Sequence, residues 1–202
     1  MDMTAMFKLS YGLFVLSAAE NGKDNGCIVN TVTQVTSQPN RVTVTINKSN
    51  FTHDMVVNTG KFTVSVLTES VPMDTIKRFG FQSGKEADKF SDITYKRDEL
   101  NLAYLTENVN AVISCKVIST MDMGTHTQFY ADVVDCIKLS DEESVTYSFY
   151  QNYIKPKPQS DKKAKGFRCT VCGYIYEGDT LPDDFICPIC KHPASDFVKI
   201  DD

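Results

Sequence analysis

Polar and apolar residues alternate along much of the first three quarters of the chain, in stretches rich in Val, Ile, Thr and aromatic residues. This period of two is typical of β-strands, and it occurs in YGLFVLSAA, CIVNTVTQVT, RVTVTINK, KFTVSVL, AVISCKVIST and FYADVVDCIKL. Between the first two, ENGKDNG carries two Asn-Gly dipeptides, which predict a turn. Six or more strands with few helices in about 150 residues predict a mainly β fold, either a barrel or a sandwich.

Two segments break that alternation and predict helices. The first, SNFTHDMVVNTG, follows Ser49 and closes at Gly60. The second runs from near Pro72 to Phe79 and begins with proline, which suits a first helical turn because its missing N–H has no partner there.

A third segment predicts a boundary. KPKPQSDKKAKG, from Lys155 to Gly166, contains two prolines, five lysines and no large apolar residue. Such a composition is typical of a solvated, semi-extended linker. We therefore divide the chain into a body (1–154), a linker (155–166) and a tail (167–202).

The tail carries two Cys-x-x-Cys pairs, Cys169 with Cys172 and Cys187 with Cys190. Four thiolates around one ion suit tetrahedral zinc or iron, and the sulfur geometry alone does not separate the two metals. A module this short lies below the roughly 40 residues at which a chain usually folds without a metal or disulfide. The metal is therefore structural whatever else it does, and its filled coordination leaves no position for a substrate.

Composition and charge narrow the setting. The net charge of -5 does not favour a nucleic-acid partner. No apolar run approaches the ~20 residues that span a membrane. Outside the tail, Cys27, Cys115 and Cys136 stand alone in apolar stretches, which indicates buried thiols in a reducing cytoplasm rather than a secreted disulfide framework.

The tail resembles rubredoxin in FRCTVCGYIYEGD and in LPDDFICPICKHPASDF. That resemblance implies one iron, cycling between Fe3+ and Fe2+, inside an aromatic core of Phe167, Tyr174, Phe185 and Phe197. A structural zinc ribbon remains the alternative.

A one-electron iron needs a donor, and flavin is the usual converter between the hydride of NAD(P)H and single electrons. This reasoning predicts a flavin domain in the body. The body resembles the flavin-reductase-like family in GLFVLSA, GCIVNTVTQVTSQPNRVTVTINKSNFTHDMV, SGKEADKF and GTHTQFYADVV. The resemblance implies an FMN-binding split β-barrel with a few helices, usually a homodimer.

The start of the first predicted helix is a candidate phosphate site. Its cation, hydroxyls and unpaired N–H groups would favour an anion, although an ordinary helix cap is the plainer interpretation. The candidate residues there are Lys48, Ser49, Asn50 and Thr52, assisted by His53.

Further flavin contacts are implied by the family resemblance. A strand beside the isoalloxazine ring would comprise Asn30, Thr31, Val32, Thr33 and Gln34. Lys89 would lie near N1 and O2 of the ring, and His126 would place the nicotinamide or the ring, which makes it the candidate catalytic residue. Tyr150 would cover the flavin. Without the resemblance, residues 30–34 are more simply a half-buried strand. Lys89 is equally a surface lysine, His126 a loop histidine and Tyr150 part of a packed aromatic stripe.

The order of the parts resembles the high-molecular-weight rubredoxins of anaerobes. That resemblance implies electron transfer from NAD(P)H through FMN to the four-cysteine iron, then to an acceptor such as a flavodiiron protein that reduces oxygen or nitric oxide. Two alternatives remain: a flavin or ferric reductase with a structural zinc tail, and a pure electron carrier without NAD(P)H activity.

Overall fold

The body is built around one large antiparallel sheet. The computed structural model describes residues 3–156, 166–170, 173–188 and 193–200. After a 3-10 helix at Met3–Lys8, the strands of the body are β1 (Phe14–Glu20), β2 (Lys23–Val29), β3 (Thr33–Ser37), β4 (Asn40–Asn47), β5 (Lys61–Leu67), β6 (Tyr95–Arg97), β7 (Ala103–Leu105), β8 (Val109–Asp122) and β9 (His126–Lys138). Seven of them pair in the order β2-β1-β5-β8-β9-β4-β3, and β6 pairs with β7. The mainly β prediction is confirmed.

The β1–β2 hairpin contains the turn predicted in ENGKDNG. Asn21 and Gly22 form it, with φ of 52° and 78°, the left-handed backbone that Asn-Gly favours. The second Asn-Gly dipeptide lies inside β2, where Asn25 pairs with Ala18 and Gly26 with Ser17. Only the first dipeptide makes the turn, because pairing with β1 already begins at Lys23.

The sheet curls until its two ends share a core. Along β4 the side chains of Val42, Val44 and Ile46 point inward and are buried. Cys27 of β2 belongs to the same apolar cluster, although β2 and β4 lie near opposite ends of the strand order. Just after β2, the Thr31 hydroxyl links this end of the sheet to β4. It donates to the Thr45 carbonyl and accepts from the Thr45 N–H, each at 3.1 Å. The body is thus a barrel rather than a flat sandwich.

Both predicted helices are present. Helix α1 (Phe51–Thr59) ends at Gly60, whose left-handed backbone lets its N–H bond the Val56 carbonyl at 2.9 Å. Helix α2 (Met73–Gly80) follows Pro72 and buries Ile76 and Phe79 in a second apolar cluster. Two helical turns, Tyr147–Phe149 and Tyr150–Ile154, end the body.

The tail forms a small sheet of its own. Strands β10 (Gly166–Cys169), β11 (Ile175–Tyr176) and β12 (Phe197–Ile200) pair in the order β11-β10-β12, with a 3-10 turn at Ala194–Asp196. Residues 157–165 of the predicted linker lie outside the described residues. In the described part of the chain, no helix has the length and apolar character to cross a membrane.

Candidate functional site

A cleft of about 640 Å³ opens where the start of α1 meets β2 and the loop after α2. This volume lies within the range usual for cofactor and small-molecule sites. Its lining residues are Asn25, Cys27, Asn47, Ser49, Asn50, Phe51, Thr52, Gly80, Phe81, Gln82, Ser83, Gly84, Glu86, Lys89 and Pro193. Four of the predicted site residues therefore come together here: Ser49, Asn50, Thr52 and Lys89.

The first turn of α1 supplies backbone donors to this cleft. Asn50 precedes the helix, and its side chain makes no capping hydrogen bond. The first N–H groups of a helix have no partner within it, and the helix dipole is positive at this end. The N–H groups of Ser49 and Asn50 are already bonded to Asn47, so it is the N–H groups of Phe51 and Thr52 that favour a negatively charged ligand here.

Lys89 adds a buried cation. Only 4% of the residue is exposed, and its Nζ donates to the carbonyl oxygens of Gly26 at 2.9 Å and Phe79 at 3.1 Å. An ammonium has three N–H bonds, so one remains for a ligand. Burial lowers the pKa of Lys89 from its usual value, and the neighbouring Cys27 opposes that shift.

Cys27 forms part of the floor of the cleft beside Lys89. Burial raises the pKa of this thiol above its usual value, against the smaller lowering effects of the Thr52 hydrogen bond and of Lys89. The side chain therefore remains a neutral thiol at physiological pH and acts as a small apolar group.

Asn25 is the lining residue that the sequence reasoning missed. It is 1% exposed, its Nδ2 donates to the Thr52 hydroxyl at 2.9 Å, and its Oδ1 has no hydrogen-bond partner among the described residues. It also packs against Gly84, where any Cβ would collide with the amide. The alternation of Lys23, Asn25 and Cys27 along β2 could have revealed it, but the Asn-Gly turn signal hid it.

The predicted strand beside the flavin ring does not line this cleft. Thr33 and Gln34 are exposed on β3, and Gln34 donates to the Asn40 side chain at 2.6 Å. Thr31 bonds the backbone of β4, as described above. Of the remaining two, Asn30 is half-buried and Val32 packs against the barrel core.

Two of the predicted phosphate residues turn away from the cleft. Lys48 forms an ion pair with Asp122 at 2.7 Å, which lowers the pKa of that carboxyl. His53 faces the sheet, where its Nε2 lies 2.9 Å from the Thr127 hydroxyl and its ring packs edge-on against Phe129.

His126 does not line the cleft but lies on β9, next to the strand β4 whose last residue does. It begins β9 and pairs with Asn47, which lines the cleft, and its Nδ1 lies 2.8 Å from the Thr125 hydroxyl. Tyr150 is buried in the α2 cluster beside Tyr147, at a ring distance of 5.8 Å, and does not line the cleft.

The tail has two buried cysteines and a cluster of aromatic rings. Cys169 and Cys187 are both buried, and the Gly173 N–H bonds the Cys169 carbonyl at 3.0 Å. The rings of Tyr176 and Phe197 lie 4.7 Å and 5.4 Å from that of Phe185. Of the four rings predicted for the aromatic core, Tyr174, Phe185 and Phe197 come together, and Tyr176 joins them. Cys172 and Cys190 lie outside the described residues.

One residue of the tail reaches the cleft in the body. Pro193 lines it together with Ser49, Gly84 and Lys89. Pro193 also forms a β-bridge with Ile186, the residue before Cys187.

Comparison with known proteins matches both parts of the chain. Residues 6–155 match the family model described as "Flavin reductase like domain", and residues 167–198 match the rubredoxin-like domain of rubrerythrin. A high molecular weight rubredoxin from Moorella thermoacetica is 36% identical over 99% of this chain and 100% of its own length. The chain belongs to the high molecular weight rubredoxin family.

Members of that family join a flavin reductase like domain to a rubredoxin-like tail, and the body alone has relatives of its own. An NAD(P)H-dependent ferric-chelate reductase from Archaeoglobus fulgidus is 42% identical over 78% of this chain and 93% of its own. In fold, flavoredoxin from Methanosarcina acetivorans matches with a TM-score of 0.59 at 22% identity, over 64% of this chain and 69% of its own. The chain is accordingly an oxidoreductase with the flavin reductase fold and a rubredoxin-like domain.

Proposed function

We propose that this chain carries electrons from NAD(P)H, through FMN held in the cleft, to one iron bound by four cysteines, and on to an acceptor protein. The proposal keeps the boundaries 1–154, 155–166 and 167–202. The observation that carries it is the cleft itself, which combines the start of α1 with Lys89 and Asn25 in a chain that also holds two Cys-x-x-Cys pairs.

The lining groups fit FMN by their chemistry. The phosphate suits the backbone N–H groups of Phe51 and Thr52 in the first turn of α1 and the remaining N–H of Lys89. The buried Oδ1 of Asn25 needs a donor, because a buried acceptor without a partner is costly, and a ribityl hydroxyl is such a donor. When bound, the flavin would supply the exchange of one hydride for two single electrons.

His126 remains the proposed catalytic residue. Its pairing with Asn47 supports a role at the edge of the cleft, where the imidazole would orient the nicotinamide. The proposed iron ligands are Cys169, Cys172, Cys187 and Cys190. The aromatic shell around Phe185 supports a site that excludes water.

A flavodiiron protein is the proposed acceptor and the cytoplasm the proposed location. Cys27 and Cys115 are buried, whereas Cys136 is exposed, so the prediction of three buried thiols was wrong for Cys136. All three are free thiols in the described part of the chain, which supports a reducing compartment.

The proposed assembly is a homodimer. Exposed apolar side chains at the β8–β9 end of the sheet support it, including Ile118, Met121 and Met123. Met121→Glu should convert a dimer to a monomer in sedimentation analysis, whereas Met6→Glu, at an exposed residue outside that end, should not.

Anaerobic titration with NADH, followed at flavin and iron wavelengths, tests the electron path. We expect both absorption bands to bleach after about 1.5 NADH per chain, because the flavin takes two electrons and the iron one. Bleaching by dithionite but not by NADH or NADPH would make the chain a carrier. Stoichiometric zinc without iron in the purified protein would contradict the proposal.

The second candidate is a flavin or ferric reductase with a zinc tail. The 42% identical ferric-chelate reductase favours it, because that similarity extends over most of the body. Removal of the tail should leave ferric-chelate reduction intact under this alternative, while the proposal predicts loss of electron delivery to the acceptor protein.

A further inference from the structure

The contact between tail and cleft involves a specific part of the tail. Pro193 lines the cleft, and its β-bridge partner Ile186 is covalently next to the buried Cys187. The residue at the cleft and a proposed metal ligand are thus joined by one bridge and one peptide bond. We call this element the Ile186–Pro193 bridge.

The bridge itself presents two apolar side chains. Ile186 is 52% exposed although it adjoins a cysteine with no exposure. Pro193 has no N–H to desolvate, so it can approach the cleft without losing a hydrogen bond to water.

The reach of the linker permits this contact within one chain. The body ends at Ile154 and β10 begins at Gly166. At ~3.3–3.6 Å per residue, the intervening segment spans at most about 40 Å. That distance is about the diameter of a compact 154-residue domain, roughly 38 Å for a sphere whose radius of gyration is about 15 Å.

We propose that the Ile186–Pro193 bridge docks at the mouth of the cleft of its own chain, so that electrons pass from flavin to iron within one chain rather than across a dimer. The inference rests on the proposed function for its redox meaning, but the docking itself does not. The elements facing the bridge are the start of α1 at Ser49 and the loop after α2 at Gly84.

One iron per chain must pass on its electrons one at a time. Each NAD(P)H becomes NAD(P)+ and releases one proton and two electrons, which reduce two Fe3+ to two Fe2+. One chain holds one iron under this proposal. The acceptor protein must therefore take the first electron from the iron before the same iron receives the second.

Photocrosslinking tests the docking without reference to activity. The photoreactive residue p-benzoylphenylalanine is incorporated in place of Pro193, and in a control in place of the exposed Pro182. We expect the label at position 193 to crosslink to residues 49–52 or 80–86, and the label at 182 to crosslink to neither segment. Mixing of ¹⁴N- and ¹⁵N-labelled chains before irradiation shows whether both peptides come from one chain.

Crosslinks that join a ¹⁴N peptide to a ¹⁵N peptide would overturn docking within one chain. If position 193 crosslinks to neither segment, the proposed docking surface is wrong. Crosslinks within one chain, combined with no reduction of iron by NADH, would support the docking while contradicting the proposed function. The two proposals can therefore fail separately.

A second variant tests the consequence for electron transfer. Pro193→Lys places a second cation beside Lys89 and the positive end of α1, and we expect the iron to be reduced at least tenfold more slowly in stopped flow while the flavin is reduced by NADH at the normal rate. Pro182→Lys should change neither rate. Equal rates of iron reduction in the two variants would count against the bridge.

Discussion

Lys89 is fixed by two backbone carbonyls instead of a carboxylate. A carboxylate partner would neutralise the ammonium, whereas the Gly26 and Phe79 carbonyls orient it and leave its charge available to a ligand. The cost of this arrangement is desolvation, which lowers the pKa of Lys89. A bound phosphate would offset that cost.

Replacement of Lys89 should therefore weaken flavin binding. Hydrogen bonds to charged groups contribute about 1.5–3 kcal/mol, so Lys89→Met should raise the Kd for FMN roughly 10- to 100-fold in a fluorescence titration. Lys85→Met is the matched control, because Lys85 is exposed and does not line the cleft. Equal affinities in the two variants would contradict the role of Lys89.

Cys115 should make the free energy of unfolding of the body fall at alkaline pH. Burial, with a smaller effect of the Asp98 charge, raises the pKa of this thiol from its usual 9.0 to about 12. Above pH 9 the unfolded chain loses the thiol proton while the folded chain keeps it, so the free energy of unfolding falls as pH rises from about 9 towards 12. The limiting slope is about 1.4 kcal/mol per pH unit.

Cys115→Ala should remove that dependence. We expect the stability advantage of the wild type over the variant to shrink by about 1–2 kcal/mol between pH 7.5 and pH 10, measured by urea unfolding with a reductant present. Cys136→Ala, at an exposed thiol, is the control. An advantage that stays constant over this range would show that the Cys115 thiol titrates normally in the folded chain.

At the scale of elements, the cleft depends on segments that are distant in sequence. Asn25 of β2 bonds Thr52 of α1 and packs on Gly84, while the Lys23 ammonium donates to the Gly84 carbonyl at 2.8 Å. One strand therefore holds both the start of a helix and the loop opposite it.

A double-mutant cycle tests this junction. Gly84→Ala should destabilise the protein by about 1–3 kcal/mol, because its Cβ collides with the Asn25 amide while the backbone itself tolerates alanine. In the Asn25→Ala background the same change should cost much less, so the two effects are not additive in urea unfolding. Additive effects would mean that Gly84 is constrained by something else.

These elements also separate what the sequence could predict from what it could not. The alternation of β4 and the Asn50 and Gly60 boundaries of α1 are local signals, and both elements were predicted. The pairing partner of a strand is not a local signal. The sequence therefore did not show that β2 extends back through Asn25, and the second Asn-Gly dipeptide was taken as part of the turn. Ser49 was named from its place at a helix start and Lys89 through family resemblance, whereas the loop at Gly84 has no local signal.

At the scale of the whole molecule, the two parts have separate stabilising cores. The buried residues of both apolar clusters in the body lie between Leu13 and Tyr150. Among its described residues the tail has an aromatic cluster and a small sheet, which is too little apolar burial for a module of this size without a metal. We therefore expect the tail to need the metal in order to fold, and the body to fold without it.

Cys187→Ser tests that independence. Loss of one thiolate from a four-cysteine site should abolish the iron colour and unfold the tail, because metal binding supplies its folding free energy. The body keeps its own core, so we expect FMN to bind with a Kd within about threefold of the wild type in fluorescence titration. Cys136→Ser should keep both iron and FMN. Loss of FMN together with iron in Cys187→Ser would mean that the tail forms part of the flavin site, and that the boundary between body and tail has been drawn wrongly.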